Sequence, residues 1–230
     1  MRSQNASLVW TRAHSNGMCA ARQYLLGDDR VGYCLNVCPE AKRDMTILTT
    51  ARLRLEPFND AHIDGLNAMN SDPEVMRYLT GKPETREETA TSVERVKARW
   101  AEFGFSWWSF IEPTSGELVG AGCIQHLRKD SAVPDPTCPL EIGWRLRRDK
   151  WHQGLAIEAA VAMAHFAFQT LRAELLLAVC RPENLASAAV MKRLGMRYRG
   201  IESWYGMEMA TYGMTSAEWD SQFLTDPSQA

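Results

Sequence analysis

A polar turn that opens into a strongly apolar helix is the part of this sequence best suited to bind a ligand. It reads WHQGLAIEA from Trp151 to Ala159, and it follows a basic loop that contains Arg147, Arg148 and Lys150. The start of a helix leaves up to about four backbone N–H groups without partners, and together with the helix dipole these groups bind anions. Gly154 has no Cβ, so a ligand can approach the backbone closely. The pattern is compatible with a phosphate site, although a single glycine more often marks a turn that only redirects the chain.

The segments around this turn have the pattern of an α/β protein. The strand LEIGWRL (residues 140–146) precedes it, and the apolar run LLLAVC (residues 175–180) is typical of a strand covered on both faces. Upstream, the alternation in ARLRLEPF predicts a half-buried strand, and residues 87–103 predict an amphipathic helix. Helices interspersed among strands in this way predict a sheet with helices on both faces.

The overall composition excludes several classes of protein. Of the 230 residues 45% are hydrophobic and 23% charged, as in ordinary globular proteins, and a net charge of −2 does not favour binding to nucleic acid. No apolar run approaches the roughly 18–20 residues that span a membrane. The six cysteines form no CxxC pair and no zinc set, so we expect no metal and interpret them as reduced thiols in a cytoplasmic protein. They are Cys19, Cys34, Cys38, Cys123, Cys138 and Cys180.

The sequence divides into a long domain and two short flanking segments. Residues 1–44 lack sustained periodicity, and the first 27 residues contain arginines but no acidic residue. We interpret residues 1–44 as an extension of uncertain structure, either ill-fitting or the product of an over-long reading frame. A targeting segment or a real accessory segment is the alternative. Residues 45–222 are expected to form one domain, and residues 223–230 a C-terminal tail.

Five further segments, taken with the turn, resemble the GCN5-related N-acetyltransferase (GNAT) superfamily. They are TARLRLEPF, VMRYLTG, the hairpin from Ser115 to Ile124, LEIGWRL and PENLASAAVMKRLGM. The turn WHQGLAIEA resembles the pyrophosphate-binding turn of the branch that acts on ribosomal-protein N-termini and small amines, which typically reads W-G-K-G-Y-A-T-E-A. His152 and Gln153 depart from that pattern, and a positive φ at His152 would be strained. The resemblance covers residues 46–219.

The resemblance implies a fold and an activity. The fold is a GNAT-like mixed, mostly antiparallel sheet of six to seven strands with helices on both faces. The activity is transfer of an acetyl group from acetyl-CoA to a primary amine, either a protein N-terminus or a small amine, by direct attack in a ternary complex. The alternatives are a non-catalytic acyl-CoA-binding regulatory module and a structural α/β protein whose turn binds nothing. The oligomeric state stays open, with a homodimer as one option.

The resemblance also implies site residues. Glu141 is the candidate base, with a structural or substrate-orienting carboxylate as the alternative. Ser187 is the candidate proton donor, and its alternative is a mid-helix serine bonded to a carbonyl. Asn184 either contacts the pantetheine arm or only caps its helix, and Glu158 is a first-turn carboxylate rather than a catalytic one. The residues expected to bind coenzyme A are Trp144, Arg145, Leu146, Trp151, His152, Gln153, Gly154, Leu155, Ala156, Asn184 and Ser187. The backbone of residues 144–146 would pair with the pantetheine amides like an added strand.

Overall fold

A computed structural model describes residues 22–26, 30–34, 46–130 and 135–223, the first two ranges as backbone only. The chain divides into two compact units, Met1–Arg43 and Asp44–Ala230. In the first unit, β1 (Arg22–Leu26) and β2 (Arg30–Cys34) form an antiparallel two-stranded sheet. The remaining expectations for residues 1–44, including those for Cys19 and Cys38, and those for residues 224–230 lie outside the described residues.

The second unit alternates strands and helices. Its strands are β3 (Leu48–Thr49), β4 (Arg54–Pro57), β5 (Trp107–Ile111), β6 (Leu118–His126), β7 (Leu140–Leu146), β8 (Leu175–Cys180), β9 (Arg197–Trp204) and β10 (Met207–Thr215). Its helices are α1 (Ile63–Asn70), α2 (Pro73–Met76), α3 (Arg86–Phe103), α4 (Leu155–His165), α5 (Leu185–Arg193) and α6 (Ser216–Phe223).

Within the described part of this unit, the strands form one sheet in the order β3-β4-β5-β6-β7-β8-β10-β9. Every neighbouring pair is antiparallel except β7 and β8, which are parallel. The predicted mixed, mostly antiparallel sheet is therefore confirmed. It has eight strands rather than six to seven, because β3 adds a two-residue strand at the edge that is too short to show a periodic pattern.

Helices cover both faces of the sheet, as predicted. On one face α1 packs so closely on β6 that a Cβ at Gly65 would lie 2.9 Å from the Cβ of Leu118. On the other face α4 covers β6 and β7, where the methyl group of Met163 lies 2.7 Å from the position a Cβ would take at Gly122. Along β7, Ile142, Trp144 and Leu146 point to the α4 face, so Glu141 and Arg145 point to the α1 face.

The parallel pair β7 and β8 separates soon after it begins. The two strands pair only at Leu140 with Leu176 and at Glu141 with Leu177, although β7 continues to Leu146 and β8 to Cys180. Beyond these pairs the centre of the sheet has a gap with a strand on each side. Backbone groups that face such a gap need other partners, such as water or a ligand.

Capping residues determine where several helices begin. Asp72 caps α2 with Pro73 at its first position, and Thr85 forms a capping box at the start of α3. After His165 the helix α4 changes its hydrogen-bonding pattern. There α4 passes into a π-helical segment, Phe166–Thr170, closed by the bond from Leu171 N–H to the Phe166 carbonyl at 3.1 Å.

One large core supports the sheet between the two helical layers. Cys123 and Cys180 are buried free thiols within it, as predicted. Among the helices of the described ranges, none combines the length and apolarity that crossing a membrane requires. Nor do these ranges bring three His, Cys, Asp or Glu side chains together as metal ligands would lie.

Candidate active site

A cleft of about 500 Å³ extends from the gap between β7 and β8 to the start of α4. The predicted site residues that line it are Trp144, Arg145, Leu146, Trp151, His152, Gly154, Leu155, Ala156, Asn184 and Ser187. Glu141 and Gln153 are absent from the lining. The helix α2 and the turn after it form the opposite wall, with Glu74, Arg77 and Tyr78. The cleft therefore joins three segments that are far apart in the sequence.

The turn before α4 presents backbone N–H groups to this cleft. Gly154 adopts a left-handed conformation with φ 77°, and the first helical bond runs from Glu158 N–H to the Gly154 carbonyl at 3.2 Å. In the described part of the chain, the N–H groups of Leu155, Ala156 and Ile157 have no backbone partner. His152 also has a positive φ of 60°, so this residue carries the expected backbone strain.

Arg52, in the segment between β3 and β4, holds this turn in place. Its Nε donates to Glu158 Oε2 at 2.7 Å, and its Nη1 donates to the Gln153 carbonyl at 2.9 Å. Thr50 Oγ1 donates to Glu158 Oε1 at 2.6 Å. Burial raises the pKa of Glu158, but the bonds from Thr50 and Arg52 outweigh it and lower the pKa overall. Glu158 is thus a structural carboxylate, as the sequence favours, but its partner Arg52 was not foreseen.

If the turn binds acetyl-CoA, as the resemblance implies, replacement of Arg52 by Ala is expected to raise the KM for acetyl-CoA about three- to tenfold, because the turn loses its tie to Glu158 without losing a group that lines the cleft. Steady-state kinetics with varied acetyl-CoA measures the effect. Arg54→Ala is the matched control, since Arg54 pairs with Glu56 and does not contact the turn. Equal KM values in the two variants would refute this role for Arg52.

The backbone of β7 has one hydrogen-bonding edge on β6 and the other on the gap. Arg147 N–H donates to the carbonyl of Val119 on β6. In an antiparallel pair every second residue directs its backbone groups to the same neighbouring strand, so the N–H and carbonyl of Arg145 also point to β6. The backbone groups of Trp144 and Leu146 therefore face the gap. The Leu146 carbonyl is already used there, since it accepts a bond from Trp151 Nε1 at 2.9 Å.

The start of α5 forms the wall of the gap that continues from β8. Asn184 Oδ1 accepts the Ser187 N–H at 3.1 Å and so caps the helix, while Asn184 also lines the cleft. Ser187 lies half-buried one turn into α5. The two predicted residues are therefore adjacent, and capping accounts for the side-chain oxygen of Asn184.

Glu141 lies in a buried hydrogen-bond cluster rather than on the cleft wall. Glu141 is only 7% exposed. Its Oε2 accepts hydrogen bonds from Tyr205 OH and from Gln125 Nε2, the latter at 3.0 Å. Burial raises the pKa of this carboxyl group, and the bonds from Tyr205 and Gln125 offset part of that rise. Among the described residues both of these bonds end on Oε2 and none on Oε1.

A tight hairpin turn between β9 and β10 delivers Tyr205 to this cluster. Tyr205 and Gly206 have φ values of 57° and 69°, as in a two-residue turn with left-handed central residues. The Tyr205 N–H donates to the Arg128 carbonyl at 2.8 Å, and the Gly206 N–H to the Lys129 carbonyl at 2.9 Å. The sequence contained a signal for this turn, the Tyr-Gly pair between two strands, but no local pattern linked it to Glu141.

The fold and the cleft together define an acetyltransferase of the GNAT type. The family model of the acetyltransferase (GNAT) domain matches residues 52–197, and the chain belongs to this family. It is an N-acetyltransferase, and enzymes of this family use acetyl-CoA. Unpaired N–H groups at the α4 turn suit the phosphates of coenzyme A, and the gap suits its extended arm.

Relatives with known sequences or structures agree with this assignment. The Bacillus subtilis protein YkkB is 31% identical over 167 residues, which are 69% of this chain and 90% of YkkB. The FsC-acetyl coenzyme A-N(2)-transacetylase of Aspergillus fumigatus is 29% identical, over 75% of this chain and 77% of that enzyme. In structure, the fold resembles RimL, a ribosomal L7/L12 alpha-N-protein acetyltransferase in complex with coenzyme A. That match has a TM-score of 0.59 and 18% identity, and it covers 74% of this chain and 98% of RimL.

Proposed function

We propose that this enzyme transfers the acetyl group of acetyl-CoA to a primary amine, either the N-terminus of a protein or a small amine, within a ternary complex. The observation that carries the proposal is the gap between β7 and β8, which leads to the unpaired N–H groups of the α4 turn. Such a gap accepts an extended amide-containing chain on its backbone edge and an anion at its end. The named activities of RimL and of the fungal transacetylase are both acetyl transfers to amines.

In this proposal acetyl-CoA supplies an activated thioester, and the chain supplies position and proton transfer. The residues proposed to bind it are those predicted from the sequence, with Trp144 and Leu146 acting through gap-facing backbone groups. Arg145 is proposed to act by shaping the strand, because neither its backbone carbonyl nor its backbone N–H faces the gap. Gln153, which does not line the cleft, is proposed to act by shaping the turn. A backbone N–H on the gap edge would stabilise the developing oxyanion.

Glu141 and Ser187 take the proton-transfer roles. An alkyl amine is largely protonated at neutral pH, so it must lose a proton before it attacks. Glu141 Oε1 is proposed to receive that proton through water, since the carboxylate lies behind the cleft wall. Ser187 lines the cleft on α5 and is proposed to donate a proton to the leaving thiolate. This arrangement places the proposed base on β7 and the proposed acid on α5.

A panel of primary amines with detection of thiol release tests the proposed function. The panel contains peptides with free N-termini, the same peptides with blocked N-termini, polyamines and amino acids. We expect thiol release with at least one free amine, and a mass increase of one acetyl group on that amine. Acetyl-CoA binding by calorimetry without thiol release on any amine would favour the non-catalytic module instead.

Replacement of Tyr205 by Phe is expected to shift the acidic limb of the pH–rate profile to higher pH. The Tyr205 hydroxyl stabilises the charged form of Glu141, so its loss raises the pKa of Glu141 further, and the base is protonated at a higher pH. In a plot of log(kcat/KM) against pH, the slope is about two below the pKa of Glu141, because amine and base must both lose a proton. Above that pKa only the amine must lose one and the slope is about one, so the change of slope marks the pKa of Glu141. Tyr198→Phe, on an exposed part of β9, is the control. An unshifted limb would remove Tyr205 from this role.

A further inference from the structure

Arg145 is a half-buried cation in the wall of the cleft. Its side chain points to the α1 face, and its guanidinium carbon lies 4.6 Å from the centre of the Trp107 ring. Arg145 Nε is buried without a hydrogen-bond partner. Among the residues that the structure describes, none gives this guanidinium an ion pair. A buried charge without a partner is costly, so its presence in the cleft wall calls for a ligand.

The nearest acidic group does not fill this role. Glu84 attracts Arg145 electrostatically, but its carboxylate oxygen Oε2 accepts bonds from Asn70 Nδ2 at 2.8 Å and from Thr89 Oγ1 at 3.1 Å. Glu74, the carboxylate of the cleft wall, lies 3.7 Å from Arg77 and is paired with it. Burial lowers the pKa of Arg145, as expected of a guanidinium whose charge is only partly compensated.

The direction of the side chain separates Arg145 from the phosphate turn. On β6, Arg145 pairs with Ala121. The guanidinium lies over Trp107, which pairs with Cys123, and Cys123 pairs with Gly143 on β7. The guanidinium thus leans back along β7, away from the turn at Gly154 and towards Glu141. An anion that it binds therefore lies near the proposed site of acetyl transfer rather than at the coenzyme A phosphates.

We infer that Arg145 binds a carboxylate of the acceptor, so that the substrate is an amine that also carries a carboxylate group. This inference rests on the proposed function and specifies its substrate class. A guanidinium stacked on an aromatic ring is held in one orientation and can form two parallel hydrogen bonds to a carboxylate. Ala121 and Gly143 lie beside it, and because their side chains are minimal they leave space for a ligand above the sheet.

Matched pairs of acceptors test the inference. One pair is alanine and alaninamide, and the other is the dipeptide amides Ala-Asp and Ala-Asn; in each pair a carboxylate replaces a carboxamide, and kcat/KM is expressed per unprotonated amine. We expect kcat/KM to favour the carboxylate in at least one pair by about 10- to 100-fold, the range of hydrogen bonds to a charged group. Arg145→Gln is expected to reduce that ratio to about one, and Arg145→Lys to keep part of it.

Controls distinguish the possible outcomes. Arg193→Gln removes another arginine of the cleft wall and is expected to preserve the ratio. Thiol release without a carboxylate preference in either pair would overturn the inference and leave the proposed function intact. A preference that survives in Arg145→Gln, or an equal loss for both members of a pair, would likewise overturn it. No thiol release with any amine would instead be a failure of the proposed function itself.

Discussion

Glu141→Gln is expected to lower kcat by about 10²- to 10⁴-fold, the usual contribution of a positioned general base. The substitution keeps the size of the side chain but removes the negative charge that would accept the amine proton. Because Glu141 does not line the cleft, acetyl-CoA affinity is expected to stay within about threefold of the parent value. Single-turnover kinetics measures the chemical step, and calorimetry measures the affinity.

A second carboxylate on the same sheet provides the control. Glu208→Gln changes an exposed glutamate of β10 and is expected to leave kcat unchanged. An unchanged kcat in Glu141→Gln would exclude Glu141 as the base. A fall in acetyl-CoA affinity that accounts for the whole loss would assign the carboxylate a structural role, which is the alternative that the sequence left open.

Gly154→Val is expected to weaken acetyl-CoA binding by about 100-fold or more. Gly154 has φ 77°, a conformation that a β-branched residue adopts only with strain, and the new side chain would also stand where a phosphate approaches the backbone. Even a displacement of about 1 Å in a positioning element can cost roughly 100-fold. Calorimetric titration with acetyl-CoA is the measurement.

A control variant must separate the effect of backbone strain in Gly154→Val from the loss of the phosphate site. Gly116→Val places the same side chain at φ 73° in the β5–β6 hairpin, where nothing lies within 4 Å of the new Cβ. It carries a similar backbone cost, so we expect a similar loss of thermal stability but normal acetyl-CoA binding. If Gly154→Val binds acetyl-CoA as well as Gly116→Val does, the phosphate site is not at this turn.

Local sequence patterns were sufficient for much of the fold. The segment LEIGWRL placed Glu141 on a strand, and Asn184 was a candidate helix cap, which the structure confirms. The position of the turn before α4 was also predicted, and the structure adds that Gly154 is left-handed there. Each of these features depends on neighbours within a few residues, and the chemistry of a single segment decides them.

The contacts that support the site were beyond such patterns. Tyr205 meets Glu141 across 64 positions, and Arg52 meets Glu158 across 106. Both contacts form only once segments that are distant in sequence lie side by side, and a lone Arg or Tyr in the sequence does not indicate its partner. The burial of Glu141 behind the cleft wall has the same origin, since Gln125 comes from β6 and Tyr205 from the turn between β9 and β10.

The early separation of β7 from β8 has a mechanical consequence. The sheet consists of a five-strand part and a three-strand part that share only two paired positions. If acetyl-CoA lies along this seam as proposed, it contacts both parts of the sheet at once. We therefore expect bound cosubstrate to limit the motion of one part against the other, so that the enzyme with its cosubstrate is stiffer than the enzyme alone.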